Sequence, residues 1–590
     1  MKDFFKYVLA TVVGIVLSSV ALFFLFFIII VGIATSFKDD KSVTVSPNSI
    51  LYLNLDQPIL ERTPNNTFPG MSFLGISEAR SIGFNDILKS LNHAKSDPNI
   101  KAVYLDVTAP NMGMATMMEV RNAIIDFKKS KKPVIAYSEI YSQGAYFLAS
   151  AADKIYLNPK GELELKGFNA ELTFFKGALD KLGIEAQIIR VGNYKSAVEP
   201  FINTKMSDYN KEQVKTYIDD LYQTFLTQIS NSRKISTEEL HRLANTYQIR
   251  NADEALKAKL VDNLWYKDQV IAEVKKITQT TKATVNTVSI NDYASNVPKN
   301  AGNATVKDKI AVIYAVGDII GGEGSDEQIG SERISRAIRK AREDKNVKAI
   351  VLRVNSGGGS ALASEVIWRE MELSKKVKPV MASFGDYAAS GGYYIGCAAD
   401  SIFVQPNTIT GSIGVFGIIP NFQNLLNNKL GLTFDGVKTG EYADILSTTR
   451  PMTSGERFIM QSSVNQTYDT FLTRVADGRK RTKNQIDSIG GGHVWTGNAA
   501  VKNGLADKIG NFHDAIVAAA NKAKLKEYKI VEYPEKMDPI KAILETTKDN
   551  IKTYYAKQEF GEAYNLFKNL KKTAEIKGIQ ARIPYSIQIN

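Results

Sequence analysis

Two stretches of this chain, 247 residues apart, are versions of one another: Pro98-Asn-Ile-Lys-Ala-Val-Tyr-Leu-Asp-Val107 and Lys345-Asn-Val-Lys-Ala-Ile-Val-Leu-Arg-Val354. Lys132-Pro-Val-Ile-Ala136 answers Lys378-Pro-Val-Met-Ala382 at 246, and Ala151-Ala-Asp153 answers Ala398-Ala-Asp400 at 247. Further on, Leu221-Tyr-Gln-Thr-Phe-Leu-Thr227 pairs with Thr467-Tyr-Asp-Thr-Phe-Leu-Thr473. So constant a spacing is a tandem duplication, and the chain is two copies of one domain. Each copy alternates β-rich runs with amphipathic stretches. In the second, the pattern predicts strands over 310–315, 349–354 and 380–382 and helices over about 331–344 and 362–374. That alternation predicts an α/β domain with strands buried between helices. The copies are expected over 45–280 and 308–530, joined by a linker over 281–307 that runs through Thr, Asn, Ser, Gly and Pro298. A lysine-rich helical tail, 531–590, belongs to neither copy.

Before the first copy, residues 7 to 37 carry no charge and include Phe23-Phe-Leu-Phe-Phe-Ile-Ile-Ile-Val31. A bilayer needs roughly 20 apolar residues, so this stretch predicts a transmembrane anchor over 1–40. It is too long for the apolar region of a cleaved signal peptide, although Gly32-Ile-Ala34 offers small residues of the kind cleavage uses. Lys2 and Lys6 precede it, while Lys38-Asp-Asp-Lys41 after it sums to zero, which keeps the N-terminus cytoplasmic. The body then lies across the membrane. A single cysteine, Cys397, excludes an intramolecular disulfide framework and any multi-cysteine metal site.

A duplication lets each position be compared with its twin. Ser390 stands in Ala388-Ala-Ser-Gly-Gly392, where a strand turns into a helix and glycines let a backbone approach closely. Taken alone, such a serine is a helix cap. Aligned on Ala-Ala-Asp, it falls opposite Gln143, and the neighbouring Ser142 is one place out of register. The glycine-rich turn Asn355-Ser-Gly-Gly-Gly-Ser360 falls opposite Thr108-Ala-Pro-Asn-Met-Gly113, so only the second copy has a turn able to aim backbone N–H groups at an oxyanion. The reverse holds for Lys195, in Val191-Gly-Asn-Tyr-Lys195-Ser, which falls opposite Ala443. Each copy keeps what the other lacks. The simplest chemical account is a Ser390/Lys195 dyad assembled across the two copies. Lysine ordinarily titrates near 10.4, so a lysine base working at about pH 7 to 8 needs burial away from water.

Four histidines, His93, His241, His493 and His513, offer no conventional triad. Three fall on helix-like stretches, and only His493, in Gly490-Gly-Gly-His-Val-Trp-Thr496, has a setting that invites chemistry. No His-Glu-x-x-His or Cys-x-x-Cys spacing and no correctly placed nucleotide-binding glycine fingerprint occurs, so neither a metal nor a cofactor is expected. Net charge is +12, but the basic residues lack the aromatic interleaving of a nucleic-acid groove.

At four motifs the chain resembles the signal peptide peptidase A (protease IV) family in its long, duplicated, membrane-anchored bacterial form. They are Val354-Asn-Ser-Gly-Gly-Gly-Ser360, Ala389-Ser-Gly-Gly-Tyr-Tyr394, Thr410-Gly-Ser-Ile-Gly-Val415 and Gly192-Asn-Tyr-Lys-Ser-Ala197, in family order. The resemblance implies the Clp-protease and crotonase fold with repeated β-β-α units, and a serine endopeptidase that degrades released signal peptides at the bacterial inner membrane. It implies Ser390 as nucleophile, Lys195 as general base, the N–H groups of Gly358 and Gly391 as oxyanion donors, and Ser412 as a residue orienting the lysine. It also implies a homotetramer. One departure stands out: Gly357 occupies the place of the family's proline, which leaves the oxyanion turn less pre-organised. Two other readings use the same residues. A crotonase-like acyl-CoA enzyme would share the oxyanion turn but need neither Lys195 nor an anchor, and a non-catalytic membrane scaffold would not keep half a dyad in each copy.

Overall fold

The computed structural model describes residues 2–36, 44–64, 81–282, 284–297, 306–536 and 578–583. Most of the expected tail therefore lies outside the described residues. The N-terminal helix Lys2–Ser36 contains a 20-residue span, Lys6–Leu25, with mean hydropathy 2.6 and no part buried against the body. It is long and apolar enough to cross a membrane.

The duplication is written into the sheets. The first copy forms a parallel sheet in the order Asn263–Leu264, Lys154–Leu163, Val134–Tyr141, Ile100–Leu105, Ser49–Leu53, Thr287–Ser289. In the second copy Lys508–Ile509, Ser401–Val404, Val380–Ala389, Val347–Ser356, Lys309–Val316 and Lys529–Tyr533 neighbour one another in the same order. Tyr146 and Tyr393, twins at 247, donate their hydroxyls at 2.8 Å to Leu260 O and Leu505 O. Parallel strands covered by helices on both faces read as unbroken apolar runs, and Ile310 to Ala315 are buried almost without exception. The helices Ser331–Glu343 and Ala361–Lys375 lie within a residue of their expected bounds.

The linker differs from its expectation. Thr287–Ser289 pairs in parallel with Ile50–Tyr52, and the helix Ile290–Asn296 buries Ile290 and Tyr293. These residues supply the edge strand of the first sheet, as Lys529–Tyr533 does for the second, crossing the expected boundary at 530. A three-residue strand carries too little alternation to stand out from a polar stretch, yet it satisfies an otherwise open sheet edge.

The copies dock through buried charge. Arg353, fully buried, donates to Glu61 Oε2 and Glu119 Oε1 at 3.0 Å each and to Ser383 Oγ at 2.9 Å, with its guanidinium beside the Phe84 and Phe512 rings. Glu119 is pushed up by burial, against the pull of Arg353. Nearby, Asp386 of the second copy accepts from Ala115 N at 2.8 Å, Thr116 N at 2.9 Å and Thr116 Oγ1 at 2.6 Å, holding the first turn of the first-copy helix Met114–Phe127. Removing one partner of a buried ion network strands the other charges. Arg353→Leu is therefore expected to lose about 3–5 kcal/mol of stability in chemical denaturation; an unchanged midpoint would show that the network does not hold the copies together.

A third sheet draws on both copies and the tail. Its order is Gln328–Gly330, Asp318–Ile320, Gly358–Ser360, Gln580–Arg582, Phe416–Asn421 and Glu185–Arg190. The last pair brings the first copy's Glu185–Arg190, and the Lys195 turn that follows it, against the second copy.

Candidate active site

The strand Val380–Ala389 ends at Ser390, and the helix Gly391–Gly396 begins at the next residue. Ser390 holds φ 55° and ψ −114°, a conformation that costs a non-glycine residue about 1–3 kcal/mol. The surroundings impose it: Ser390 N donates to Gly411 O and Ser390 O accepts from Tyr394 N, both at 2.8 Å. The hydroxyl does not cap the helix. It lies instead 2.8 Å from Lys195 Nζ and 3.3 Å from Gly414 O. In the first copy, Ser142 Oγ accepts from Ala145 N, an ordinary cap, and Gln143 Oε1 accepts from Lys166 N and Gly167 N.

Lys195 arrives from the other copy and is 1% exposed. Besides Ser390 Oγ, its Nζ reaches Ser412 Oγ at 3.0 Å and Ser412 O at 3.2 Å. Burial is the one force on its titration, and it pushes the amine well below the ordinary lysine value. The twin position, Ala443, lies exposed elsewhere.

Sequence reasoning missed what holds this lysine. The run Gly490-Gly-Gly-His493 drew notice for its histidine, but its glycines do the positioning. A Cβ at Gly492, where φ is 87°, would sit 2.5 Å from Lys195 N, and one at Gly192 would sit 2.2 Å from Gly491 O. Tyr194 N donates to Gly491 O at 3.1 Å. Gln213 bridges the copies, donating to Tyr194 O at 3.1 Å and Ser196 Oγ at 2.8 Å while accepting from Val494 N at 3.3 Å. The sequence signal for this was the glycine pairing itself, a Gly in each of two turns that must touch. His493 stacks on Trp495 with centroids 3.9 Å apart, its Nδ1 lies 2.8 Å from Val494 O, and its backbone oxygen accepts from Ser412 N at 2.7 Å. It therefore supports Ser412 through the main chain, and burial pushes its ring below the usual value.

Of the expected oxyanion donors, Gly391 opens the helix after Ser390. Gly358 N instead donates to Ser356 Oγ at 3.1 Å, and Ser356 Oγ donates onward to Gly317 O at 2.6 Å. Gly358 and Gly359 hold φ of 101° and 159°, and a Cβ at Gly358 would lie 2.0 Å from Ala581 O. Within the described residues no cluster of His, Cys, Asp or Glu is placed to hold a metal.

A strained serine at a strand-to-helix turn, facing a buried amine supplied by a duplicated domain, defines a candidate serine-hydrolase site. The peptidase family S49 profile matches the chain twice, over residues 126–281 and 372–526. Protease 4 of Salmonella typhi is 38% identical over 548 residues, covering 90% of this chain and 88% of its own. Protease 4 of Haemophilus influenzae is 37% identical, with coverages of 84% and 82%, and the chloroplastic serine protease SPPA of Arabidopsis thaliana is 31% identical, with coverages of 84% and 72%. The chain belongs to peptidase family S49 and is a serine protease.

Two outcomes follow from the packing around Lys195. Gly492→Ala drives a methyl into the Lys195 backbone, and a displacement of that kind is expected to lower kcat by about a hundredfold while the melting temperature moves little; an unchanged kcat would mean that the glycine contact does not position the amine. Because Lys195 titrates lower in the folded chain than unfolded, the unfolded state binds more protons between that lowered value and about 10.4. Raising pH through this window therefore stabilises the parent relative to Lys195→Met, and parallel denaturation series from pH 6 to pH 10 read the difference directly.

Proposed function

We propose that the chain is a membrane-anchored endopeptidase in which Ser390 is the nucleophile and Lys195 the general base. The observation that carries this is the 2.8 Å approach of Lys195 Nζ to Ser390 Oγ in a pocket where both are buried. A neutral amine has two N–H donors and one lone pair. Ser412 O and Oγ accept the two donors, which leaves the lone pair for the Ser390 proton. Lys195 takes that proton as Oγ attacks the scissile carbonyl, returns it to the departing amine, and then deprotonates the water that opens the acyl-enzyme. Gly391 N–H stabilises the oxyanion, joined by Gly358 N–H once its bond to Ser356 Oγ is released.

The helix Lys2–Ser36 anchors the protein in a bacterial inner membrane. Lys2 and Lys6 keep its start cytoplasmic, so the catalytic body lies on the far side, where released signal peptides and other apolar segments accumulate. The assembly is a homotetramer, a reading favoured by the exposed apolar side chains of Leu430, Leu432, Phe434 and Val437 on one projecting segment.

The test is cleavage of an apolar signal-peptide-like substrate by detergent-solubilised protein. Ser390→Ala and Lys195→Met should each lower kcat/KM by at least about a thousandfold with the melting profile retained. In the parent, kcat/KM should rise with pH along one ionisation well below the ordinary lysine value, because only deprotonated Lys195 can accept the serine proton. Parent-level activity in Lys195→Met would remove the dyad, and inertness of the parent itself would remove the endopeptidase.

A further inference from the structure

One amide side chain touches both of the turns that meet at the candidate dyad. Gln213 stands in the second turn of the first-copy helix Asp208–Arg233 and has no exposed surface. Its Nε2 shares two hydrogens among Tyr194 O at 3.1 Å, Ser196 Oγ at 2.8 Å and Asn210 Oδ1 at 3.2 Å. The first two flank Lys195. Its Oε1 accepts from Val494 N at 3.3 Å, next to His493, whose backbone oxygen accepts from Ser412 N at 2.7 Å. Ser412 Oγ in turn lies 3.0 Å from Lys195 Nζ. A closed ring of contacts therefore runs from Gln213 through Lys195, Ser412 and residues 493–494 back to Gln213, crossing between the copies twice.

What aims this amide lies one step further from the chemistry. Glu199, four residues after Lys195, is wholly buried, and among the described residues no cation pairs with it. Its carboxylate accepts from Ser207 N at 3.1 Å, from Asn210 Nδ2 at 3.0 Å and from Ser207 Oγ. Ser207 caps the same helix, its Oγ accepting from Asn210 N at 3.2 Å. A carboxylate only accepts, so Asn210 turns its NH2 toward Glu199 and its oxygen toward Gln213. Gln213 must then turn its own NH2 toward Asn210 and the Lys195 turn, which leaves its oxygen for Val494 N–H. Reversing any one link would set two donors or two acceptors face to face in a buried place. The second copy has dropped this device along with the lysine. At the helix offset of 246 the cap Ser207 is kept as Thr453, but Gln213 falls opposite Ile459, which is 38% exposed.

We propose that Glu199, Asn210 and Gln213 form a buried positioning relay, anchored on the Glu199 carboxylate, that holds the Lys195 turn in register with Ser412 and so aims Nζ at Ser390. The inference rests on the dyad reading above. The hydrogen bonds of the three side chains go to the lysine turn, the helix start and Val494, none of them to Ser390 or to the glycine turn that would receive substrate. Their loss therefore appears in kcat and in the titration of Lys195, while KM stays in place. The other ionisable groups at this turn are Arg190, whose Nη1 lies 3.5 Å from Lys195 O, Glu212 beside the Tyr194 hydroxyl, and His493. Gln213→Met changes the charge of none of them.

The experiment uses the full-length protein in detergent with the apolar peptide, comparing the parent with Gln213→Met, Glu199→Gln and the double variant. Gln213→Met keeps the reach of the side chain and removes its bonds. It is expected to lower kcat at least about tenfold with KM within about twofold, and to move the ionisation in kcat/KM upward as the loosened turn admits water to the amine. Glu199→Gln keeps the shape but lets the chain of amides face either way, and is expected to lower kcat about threefold or more. Because both act through Gln213, the double variant should match Gln213→Met within about twofold, whereas independent effects would multiply. A second reading needs no turnover. Between about pH 6 and pH 10 the parent gains stability over Lys195→Met, and Gln213→Met should gain less over its own Lys195→Met partner, because its amine titrates closer to the unfolded value. If Gln213→Met fails to fold, Glu199→Gln decides alone, through its kcat and its ionisation. A lowered melting temperature with kcat and ionisation both at parent values, or losses that multiply in the double variant, would overturn the relay. If Lys195→Met cleaves as the parent does, the dyad reading falls and the stability series alone judges the relay. If Lys195→Met is inert while Gln213→Met and Glu199→Gln match the parent, only the relay falls.

Discussion

The structure turns on one amine kept out of water. Lys195 Nζ sits among Ser390 Oγ, Ser412 Oγ and Ser412 O, with no carboxylate paired to it among the described residues, and burial pushes its titration well below the ordinary lysine value. Neither copy can create that environment by itself. The first copy supplies the lysine on a turn, and the second supplies the hydroxyls and the glycines that admit it. The seam between them must therefore be dry, close and fixed in register. The Arg353 network answers the last need. Burying three charges gains little stability over an apolar contact of the same volume, but a shift of the copies would break the bonds of Arg353 to Glu61 and Glu119 together. Asp386, holding three donors of the other copy at once, is a second fixed point of the same kind.

Duplication makes the division of labour readable. The two parallel sheets share a strand order, and Tyr146 and Tyr393 anchor equivalent helices in equivalent ways, so the scaffold has been kept twice. The turns at the strand ends have not. At the end of Val134–Tyr141 the chain meets Ser142 and Gln143, which cap a helix and tie down a loop; at the end of Val380–Ala389 it meets Ser390 in a strained conformation with its hydroxyl turned outward from the cap. Arg353 and its twin Asp106 diverge likewise, one buried at the seam and the other accepting from Tyr52 and Lys267 near the surface. Function here resides in loops that a rigid repeated core holds in place.

That distinction explains what the sequence discloses. Strands such as Lys309–Val316 and helices such as Ala361–Lys375 announce themselves through periodicity, because their burial follows from their own residues. Ser390 and Lys195 were legible through comparison of twins, a signal that needs no structure. The role of Gly492 was not, since it depends on contact between turns about 300 residues apart in the chain. Thr287–Ser289 was hidden for a different reason: a three-residue strand derives its stability from the edge it covers, and nothing within it reports that edge. The pairing of Gly358 N–H with Ser356 Oγ was equally invisible, because a glycine's sequence context says that its φ is free and not which value it takes.

The third sheet joins these threads. Gly358–Ser360 and Phe416–Asn421 belong to one copy and Glu185–Arg190 to the other, and the site lies where they converge. Gln580–Arg582 lies between Gly358–Ser360 and Phe416, paired antiparallel with both, so the glycine turn beside Ser390 is bound into a sheet to which both copies contribute. At the residue before Gly358 a side chain would press on that strand as well, since a Cβ at Gly357 would lie 2.8 Å from Ile583 Cγ1.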